Sequence, residues 1–284
     1  MSDFLREVYV PSRIDLTADT VRQMQISIRA LEAFAGKRLT LGELSEDLLR
    51  KFLSAYRGRC SASTVNSKRC QLLALWRAAF DEEYLAAPPR TSKIRRARSF
   101  PLLPEAWTAG EVGRILAAAD SAPGEIAGIP AKNWWRSLLL VIYDSAARKK
   151  EALATRPQDI SLAGAWIAID SRKNGRRICP LHAETIAAVR LIWSAERTSV
   201  WPWPYSRESL DKRFRKILVR TGVPFGRGRG GLFHKLRRTS GTLVEANGGD
   251  GARHIGDTRK IFEAHYLDRR IVPQTQMERL PRPR

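Results

Sequence analysis

Pro88, Pro89, Pro101 and Pro104 fall within one stretch, AAPPRTSKIRRARSFPLLPE, between two longer regions of regular apolar patterning. Proline locks φ and lacks an N–H, so a stretch with this density of proline extends neither a helix nor a sheet. A chain of 284 residues also exceeds one ordinary core. The expected organisation is therefore a first domain over 1–86, a linker over 87–105 and a second domain over 106–284.

Charge divides along the same boundaries. The chain carries a formal +21 and a pI near 10.7. Residues 1–87 hold 13 Lys and Arg against 11 Asp and Glu, the linker 88–105 holds five against one, and 106–284 holds 32 against 17. An excess concentrated in the linker and second domain points to a polyanionic partner. Arg90, Lys93, Arg95, Arg96 and Arg98 lie among the prolines. A basic extended linker suits the backbone of a duplex, and a solubilising linker fits the composition equally well. Cys60, Cys70 and Cys179 are too far apart for a disulfide framework or a zinc site, and a reducing, cytoplasmic setting is expected. No apolar run approaches the ~20 residues of a membrane span. MSDFLREVYVPSR lacks the apolar core of a secretory signal.

The first domain reads as all-helical. Val21, Met24, Ile28, Leu31 and Ala35 recur at helical spacing from Thr17, and Gly36 is placed to end that helix. Thr40-x-x-Glu43 matches a capping box before a second helix with Leu49, Phe52, Leu53 and Tyr56 inside. After Ser61 a third helix carries Val65, Leu72, Leu73, Trp76 and Phe80, with Lys68, Arg69 and Arg77 on another face for phosphates or for solvent. In the second domain Thr108 caps a helix, and 134–143 is apolar enough to be a buried one. Trp166, Ile167 and Ile169 form one strand and Ile178 to Leu181 another. Asn174-Gly175 is read as a two-residue turn between them, with Arg172, Lys173, Arg176 and Arg177 on a basic hairpin sized for a DNA groove. Helices are expected over 183–196 and 207–220. WPWP at 201–204 and GRGRGG at 226–231 read as loops.

The chemistry concentrates in FHKLRRTSGTLVEANGGDGARHIGDTRKIFEAHY, residues 233–266. His234 and Arg237, three apart, share a helix face and can address one anion, and Tyr266 closes the same segment. Arginine is suited to phosphate because its planar fork stays charged and makes paired hydrogen bonds. Arg148 and Glu151 stand three apart on another helix, as a surface ion pair or as a site arginine steered by a carboxylate.

In order, Arg148-x-x-Glu151, Lys173-Asn-Gly before Cys179-Pro-Leu181, His234-x-x-Arg237, Ile255-Gly-Asp257 and Tyr266 in HYLD resemble the tyrosine recombinases of the phage integrase family. The resemblance covers most of the chain. It implies a mainly α, two-domain DNA clamp: a helical SAM-like core-binding domain, then an integrase-type α+β catalytic domain with a small antiparallel sheet. It implies site-specific cleavage and rejoining of DNA through a 3′-phosphotyrosine. Tyr266 would be the nucleophile, with Arg148 and Arg237 on the nonbridging oxygens. Lys173 would be the acid for the leaving 5′-oxygen, His234 would handle the tyrosine proton, and Glu151 would orient Arg148. Lys68, Arg69, Arg95, Arg96, Arg172, Arg176, Arg177 and Arg238 would be the DNA contacts. No cofactor and no metal are implied. The implied partners are double-stranded attachment sites, a homotetramer on DNA and accessory DNA-bending proteins, with no membrane. One position departs from the family, which carries Leu-Gly-His nine residues before the tyrosine. Here Asp257 stands nine before Tyr266. An ionised aspartate cannot donate a hydrogen bond to a phosphate. His254 lies three residues earlier as a substitute reached by a local shift; the other readings are an Asp257 protonated near the site, one that bonds another active-site group, or one that marks a weakened enzyme. The alternatives are an integrase-derived DNA-binding protein with a weakened site, a type IB topoisomerase-like enzyme and a nonspecific basic nucleic-acid binder.

Overall fold

The structure, a computed structural model, describes residues 1–98, 102–171, 175–226 and 231–272. It divides into two compact units, Met1–Phe100 and Pro101–Arg284. About 54% of it is helical.

In the first unit a short helix, α1 (Ser2–Phe4), runs into a π-helical turn at Leu5–Tyr9. The sequence reading had no element there, because the segment is too short to display a period. Then come α2 (Ala18–Ala35), α3 (Glu46–Arg57) and α4 (Ala62–Asp81). The α2 helix starts and ends where expected. Thr17 accepts from the Thr20 N–H, and Gly36 takes the left-handed conformation at φ 71°. The start of α3 differs from expectation. Ser45 caps it, accepting from the Leu48 N–H, while Glu43 accepts from the N–H and hydroxyl of Thr40 in a preceding turn. Two cap sequences five residues apart competed, and Ser45 adjoins the apolar stripe. Ile28, Leu31, Leu49, Phe52, Leu72 and Trp76 are buried together.

The basic face of α4 is used otherwise than expected. Lys68 is only 6% exposed, its ammonium 5.0 Å from the centre of the Tyr56 ring. Arg69 donates from Nε to the Ile94 carbonyl (2.5 Å) and from Nη2 to that of Thr91 (3.3 Å). Asn66 exchanges two hydrogen bonds with Ala97, and Ile94 is buried. The first part of the linker is thus strapped along α4. Its prolines rule out regular structure, but they do not prevent side chains from satisfying its carbonyls.

The second unit is built on α6 (Ala131–Ser145), with Trp134, Leu138, Val141 and Ile142 at 0% exposure. Around it lie α5 (Ala109–Ala119), α8 (Ala183–Arg190), α9 (Arg207–Val219) and α10 (Gly231–Ala246). Thr108 and Glu111 form a reciprocal capping box on α5. The 201–204 segment is a loop, and its Trp201 is fully buried and donates to Ser137 Oγ (3.0 Å). A two-stranded ribbon, β1 (Glu125–Ile126) with β2 (Ile129–Pro130), precedes α6. An antiparallel sheet of β3 (Ile160–Ser161), β4 (Trp166–Ser171) and β5 (Gly175–Pro180) follows α7 (Lys149–Ala154) and a 3₁₀ turn. Ser171 pairs with Gly175, so three residues lie between the strands where two were expected, and Gly175 at φ 74° opens β5. Arg172, Lys173 and Asn174 lie outside the described residues.

Two short helices close the unit, α11 (Gly251–Ile255) and α12 (Arg259–His265). Both pack on α10 through glycines. A Cβ on Gly241 would lie 2.7 Å from Ile255, and one on Gly251 would lie 2.5 Å from both the Gly241 carbonyl and the Phe262 ring. Contacts that short admit no side chain. They let Ala146, Ala252, Ile255, Phe262, Tyr266 and Leu267 form a small cluster of their own.

Candidate active site

Four segments converge beside that cluster. The first is the turn between α6 and α7. Ala146 adopts φ 50°, reversing the chain so that Arg148 caps α7. Glu151 accepts from the Arg148 N–H through Oε2 (2.8 Å) and from its Nη1 through Oε1 (2.8 Å). One carboxylate thus caps the helix and aims the arginine, the steering role the spacing suggested. Ser171 at the end of β4 lies 3.4 Å from the same Nη1.

The second segment is α10. Arg237 is at 0% exposure, and its Nη1 donates to the Ala146 carbonyl. Its Nη2 donates to the Ile255 carbonyl (2.7 Å) and to Asp257 Oδ2 (3.0 Å), while its buried Nε has no partner among the described residues. A buried guanidinium is held in place by such bonds and is otherwise strongly unfavourable. His234, one turn earlier, has its pKa lowered to about 4, first by burial and then by the charges of Arg238, Arg237 and Arg148. Its imidazole is therefore neutral near pH 7.

The third segment is the α11–α12 turn. Gly256 takes φ 70° and presents Asp257 to the two arginines. Asp257 Oδ2 is 3.1 Å from Arg148 Nη2 and 3.0 Å from Arg237 Nη2. Two guanidinium forks thus meet on a single carboxylate oxygen. That is the geometry with which they would hold one oxygen of a phosphate. The fourth segment is the end of α12. Tyr266 is 5% exposed, its ring 5.0 Å from that of His234 and 5.2 Å from the guanidinium carbon of Arg237.

The structure therefore brings Arg148, Glu151, His234, Arg237, Asp257 and Tyr266 together. Other expectations are revised. Arg238 was read as a DNA contact; it is buried, donating to the carbonyls of His265 (3.1 Å) and Glu105 (3.2 Å). Arg177 was read as a groove contact as well, but it faces inward from β5. Its Nη1 donates to Cys179 Sγ (2.8 Å) and to the His254 carbonyl (3.0 Å), and burial lowers its pKa. The alternation of strand side chains explains the difference, since Arg176 and Ile178 take the exposed face. His254, the candidate substitute for Asp257, is committed elsewhere. Ser240 Oγ donates to the Tyr143 carbonyl (2.5 Å), so His254 Nε2, 2.6 Å away, donates to Ser240. Burial, then Arg177 and Arg237, lower its pKa to about 4. Arg95, Arg96 and Arg176 are exposed; Arg176 pairs with Asp159 at 3.1 Å. Sequence reasoning missed Ser171 and the Ala146 carbonyl, neither of which has a local signal. Among the described residues no group of His, Cys, Asp and Glu could hold a metal ion, and no helix is long and apolar enough to cross a membrane.

No family model matches the chain. A curated relative, tyrosine recombinase XerC of Xanthomonas campestris pv. campestris (strain B100), is 22% identical over 192 residues, 64% of this chain. The match spans 57% of that relative's length. Among solved structures, a lambda integrase dimer bound to a COC′ core site superposes with a TM-score of 0.71 at 19% identity, covering 95% of each chain. A lambda integrase tetramer bound to a Holliday junction superposes at 0.70 and 18% identity, over 96% of this chain and 77% of that one. Fold and site together define a protein built around a tyrosine beside paired arginines. The chain has the tyrosine recombinase fold.

Proposed function

We propose that this chain is a site-specific DNA recombinase that cleaves and rejoins strands through Tyr266. The tyrosine Oη attacks the scissile phosphorus, the bond from phosphorus to the 5′-oxygen breaks, and a 3′-phosphotyrosine and a free 5′-hydroxyl result. His234, neutral near pH 7, takes the tyrosine proton. Lys173, which lies between β4 and β5 in the sequence, supplies a proton to the leaving oxygen. Arg148 and Arg237 stabilise the charge on the pentacoordinate phosphorus. Rejoining is the reverse, with a 5′-hydroxyl as nucleophile, so the bond energy is kept in the phosphotyrosine.

The observation that carries this reading is the convergence of both Nη2 atoms on one oxygen, at 3.0 and 3.1 Å, with Tyr266 packed against the same Arg237. The exposed Arg95, Arg96 and Arg176, with Arg172, are proposed for backbone phosphates. The wider setting is proposed with it: paired attachment sites, a homotetramer on DNA, accessory DNA-bending proteins and association with the cytoplasmic nucleoid.

The test is a denaturing gel. Protein is incubated without metal with nicked duplexes carrying candidate attachment sites, and wild type is compared with Tyr266→Phe. A slow-migrating covalent adduct in wild type, absent in Tyr266→Phe at unchanged duplex affinity, is expected. Specific binding with no adduct in wild type would refute the reading and leave a DNA-binding protein.

A further inference from the structure

Two buried charged side chains close to the tyrosine take no part in the chemistry just described. Arg238 follows Arg237 on α10 and is 6% exposed. Asp268, two residues after Tyr266, is 1% exposed. Arg238 donates from Nε to the His265 carbonyl, immediately before the tyrosine, and from Nη1 to the Glu105 carbonyl. Asp268 Oδ2 accepts from the Ala106 N–H at 2.7 Å and from Arg270 Nη2 at 2.5 Å, and its Oδ1 accepts from the Arg270 N–H and Nε at 2.9 Å. Both charged groups thus reach from the flanks of Tyr266 to the same two residues, Glu105 and Ala106.

That segment is itself fixed. The next residue, Trp107, is at 0% exposure, its N–H donates to Thr239 Oγ1 (2.8 Å) and its indole donates to the Pro224 carbonyl (3.0 Å). Thr242 completes the frame on α10. Its hydroxyl donates to the Tyr266 carbonyl (2.9 Å) and accepts from the Asp268 N–H (3.1 Å). Leu267 and Phe262 at 0% exposure already supply the apolar seat. A buried carboxylate and a buried guanidinium are both unfavourable unless fully paired, so their use here demands a return in geometry.

We propose that Arg238 and Asp268 are positioning residues for the nucleophile, clamping the backbone on both sides of Tyr266 to the Glu105–Ala106 segment. The clamp rests on the reading of Tyr266 as nucleophile. Its consequence is that the attack geometry depends on the seating of the segment where the proline-rich linker enters the second unit. The tyrosine terminates a helix of seven residues at φ −122° and ψ −35°, and its hydroxyl sits at the end of a long side chain. Small rotations of that backbone therefore become displacements of Oη. A misplacement of about 1 Å costs about a hundredfold in rate.

The experiment compares full-length wild type, Asp268→Ala, Asp268→Asn and Arg238→Lys. Three quantities are measured: the single-turnover rate of adduct formation on nicked duplex at saturating protein, the Kd for the same duplex, and the Tm. We expect Asp268→Ala and Arg238→Lys to lower the saturating rate at least about tenfold while Kd stays within about twofold. The amide of Asp268→Asn still accepts from Ala106, so that variant recovers most of the rate. Assays run well below the lowest Tm separate geometry from unfolding. An unchanged rate in Asp268→Ala overturns the proposal. So does a parallel loss of affinity and rate, or a failure of Asp268→Asn to recover when its Tm matches wild type. A wild type that makes no adduct overturns the proposed function and this clamp together, and so is distinguished from failure of the clamp alone.

Discussion

Asp257→Asn is the substitution whose outcome the geometry constrains most. The carboxylate occupies the place where Arg148 and Arg237 would meet a phosphate oxygen, with Oδ2 3.1 and 3.0 Å from their Nη2 atoms. A scissile phosphate must displace it or share the arginines with a like charge. A hydrogen bond to a charged group contributes about 1.5–3 kcal/mol. Two such bonds surrendered on phosphate binding amount to roughly 3–6 kcal/mol, of which new bonds to phosphate return the greater part. A net hindrance of only ~1.4–2.8 kcal/mol corresponds to ~10–100-fold in affinity or rate. The isosteric amide keeps an acceptor for the arginines, removes the negative charge and adds an N–H that can donate to the phosphate. We therefore expect Asp257→Asn to bind inorganic vanadate, a phosphate mimic, ~10–100-fold more tightly and to form adduct faster by a similar factor. It should also lose about 1–3 kcal/mol of stability, because the bond from the fully buried Arg237 is no longer made to a charged acceptor. Vanadate affinity is read by inhibition of adduct formation and stability by urea denaturation. A variant with weaker vanadate binding and slower adduct formation, at intact fold, would refute the reasoning and show that the carboxylate assists the reaction. Asp257→His, which restores a ring donor, tests the same point and is expected to move in the same direction.

Other outcomes follow from the same geometry. Tyr266→Phe removes one hydroxyl from a site held by many other contacts, so filter binding should show duplex affinity within about twofold while adduct is lost. His234 and His254 have pKa values lowered from 6.5 to about 4, so the unfolded chain binds more protons than the folded one between those values. Stability is then full above pH 6.5 and declines as pH falls toward 4, by up to ~1.4 kcal/mol per pH unit for each histidine, and a Tm that does not fall between pH 7 and 5 would contradict it. Gly251→Ala places a Cβ 2.5 Å from the Gly241 carbonyl. It should cost about 1–3 kcal/mol by urea denaturation and slow adduct formation, since α11 and α12 carry Asp257 and Tyr266.

Local elements were legible where one residue type enforces one geometry. Gly36 ended its helix, Thr108 capped its own, and the apolar run 134–143 marked a buried helix, because caps and apolar runs are short-range features. The α3 start was misplaced because Thr40–Glu43 and Ser45 offer similar cap chemistry, and only packing chose between them. The basic residues were the least legible. Lys68, Arg69, Arg177 and Arg238 all read as DNA contacts, yet they cover Tyr56 or satisfy carbonyls of the linker, His254, His265 and Glu105.

The order of Arg148, Glu151, His234, Arg237 and Tyr266 belongs to the sequence alone, and so do the two-part organisation and the strong positive charge. They survive any description of the fold because they are properties of residue type and spacing. Tertiary structure decided what those residues do to one another. It turned Asp257 from an anomaly in a motif into the carboxylate that both site arginines hold, and it tied the flanks of Tyr266 to residues more than 130 positions earlier. The physical reason is that a charge carries no record of its partner. Whether an arginine meets solvent, phosphate, a carbonyl or an aspartate depends on which distant backbone folds beside it.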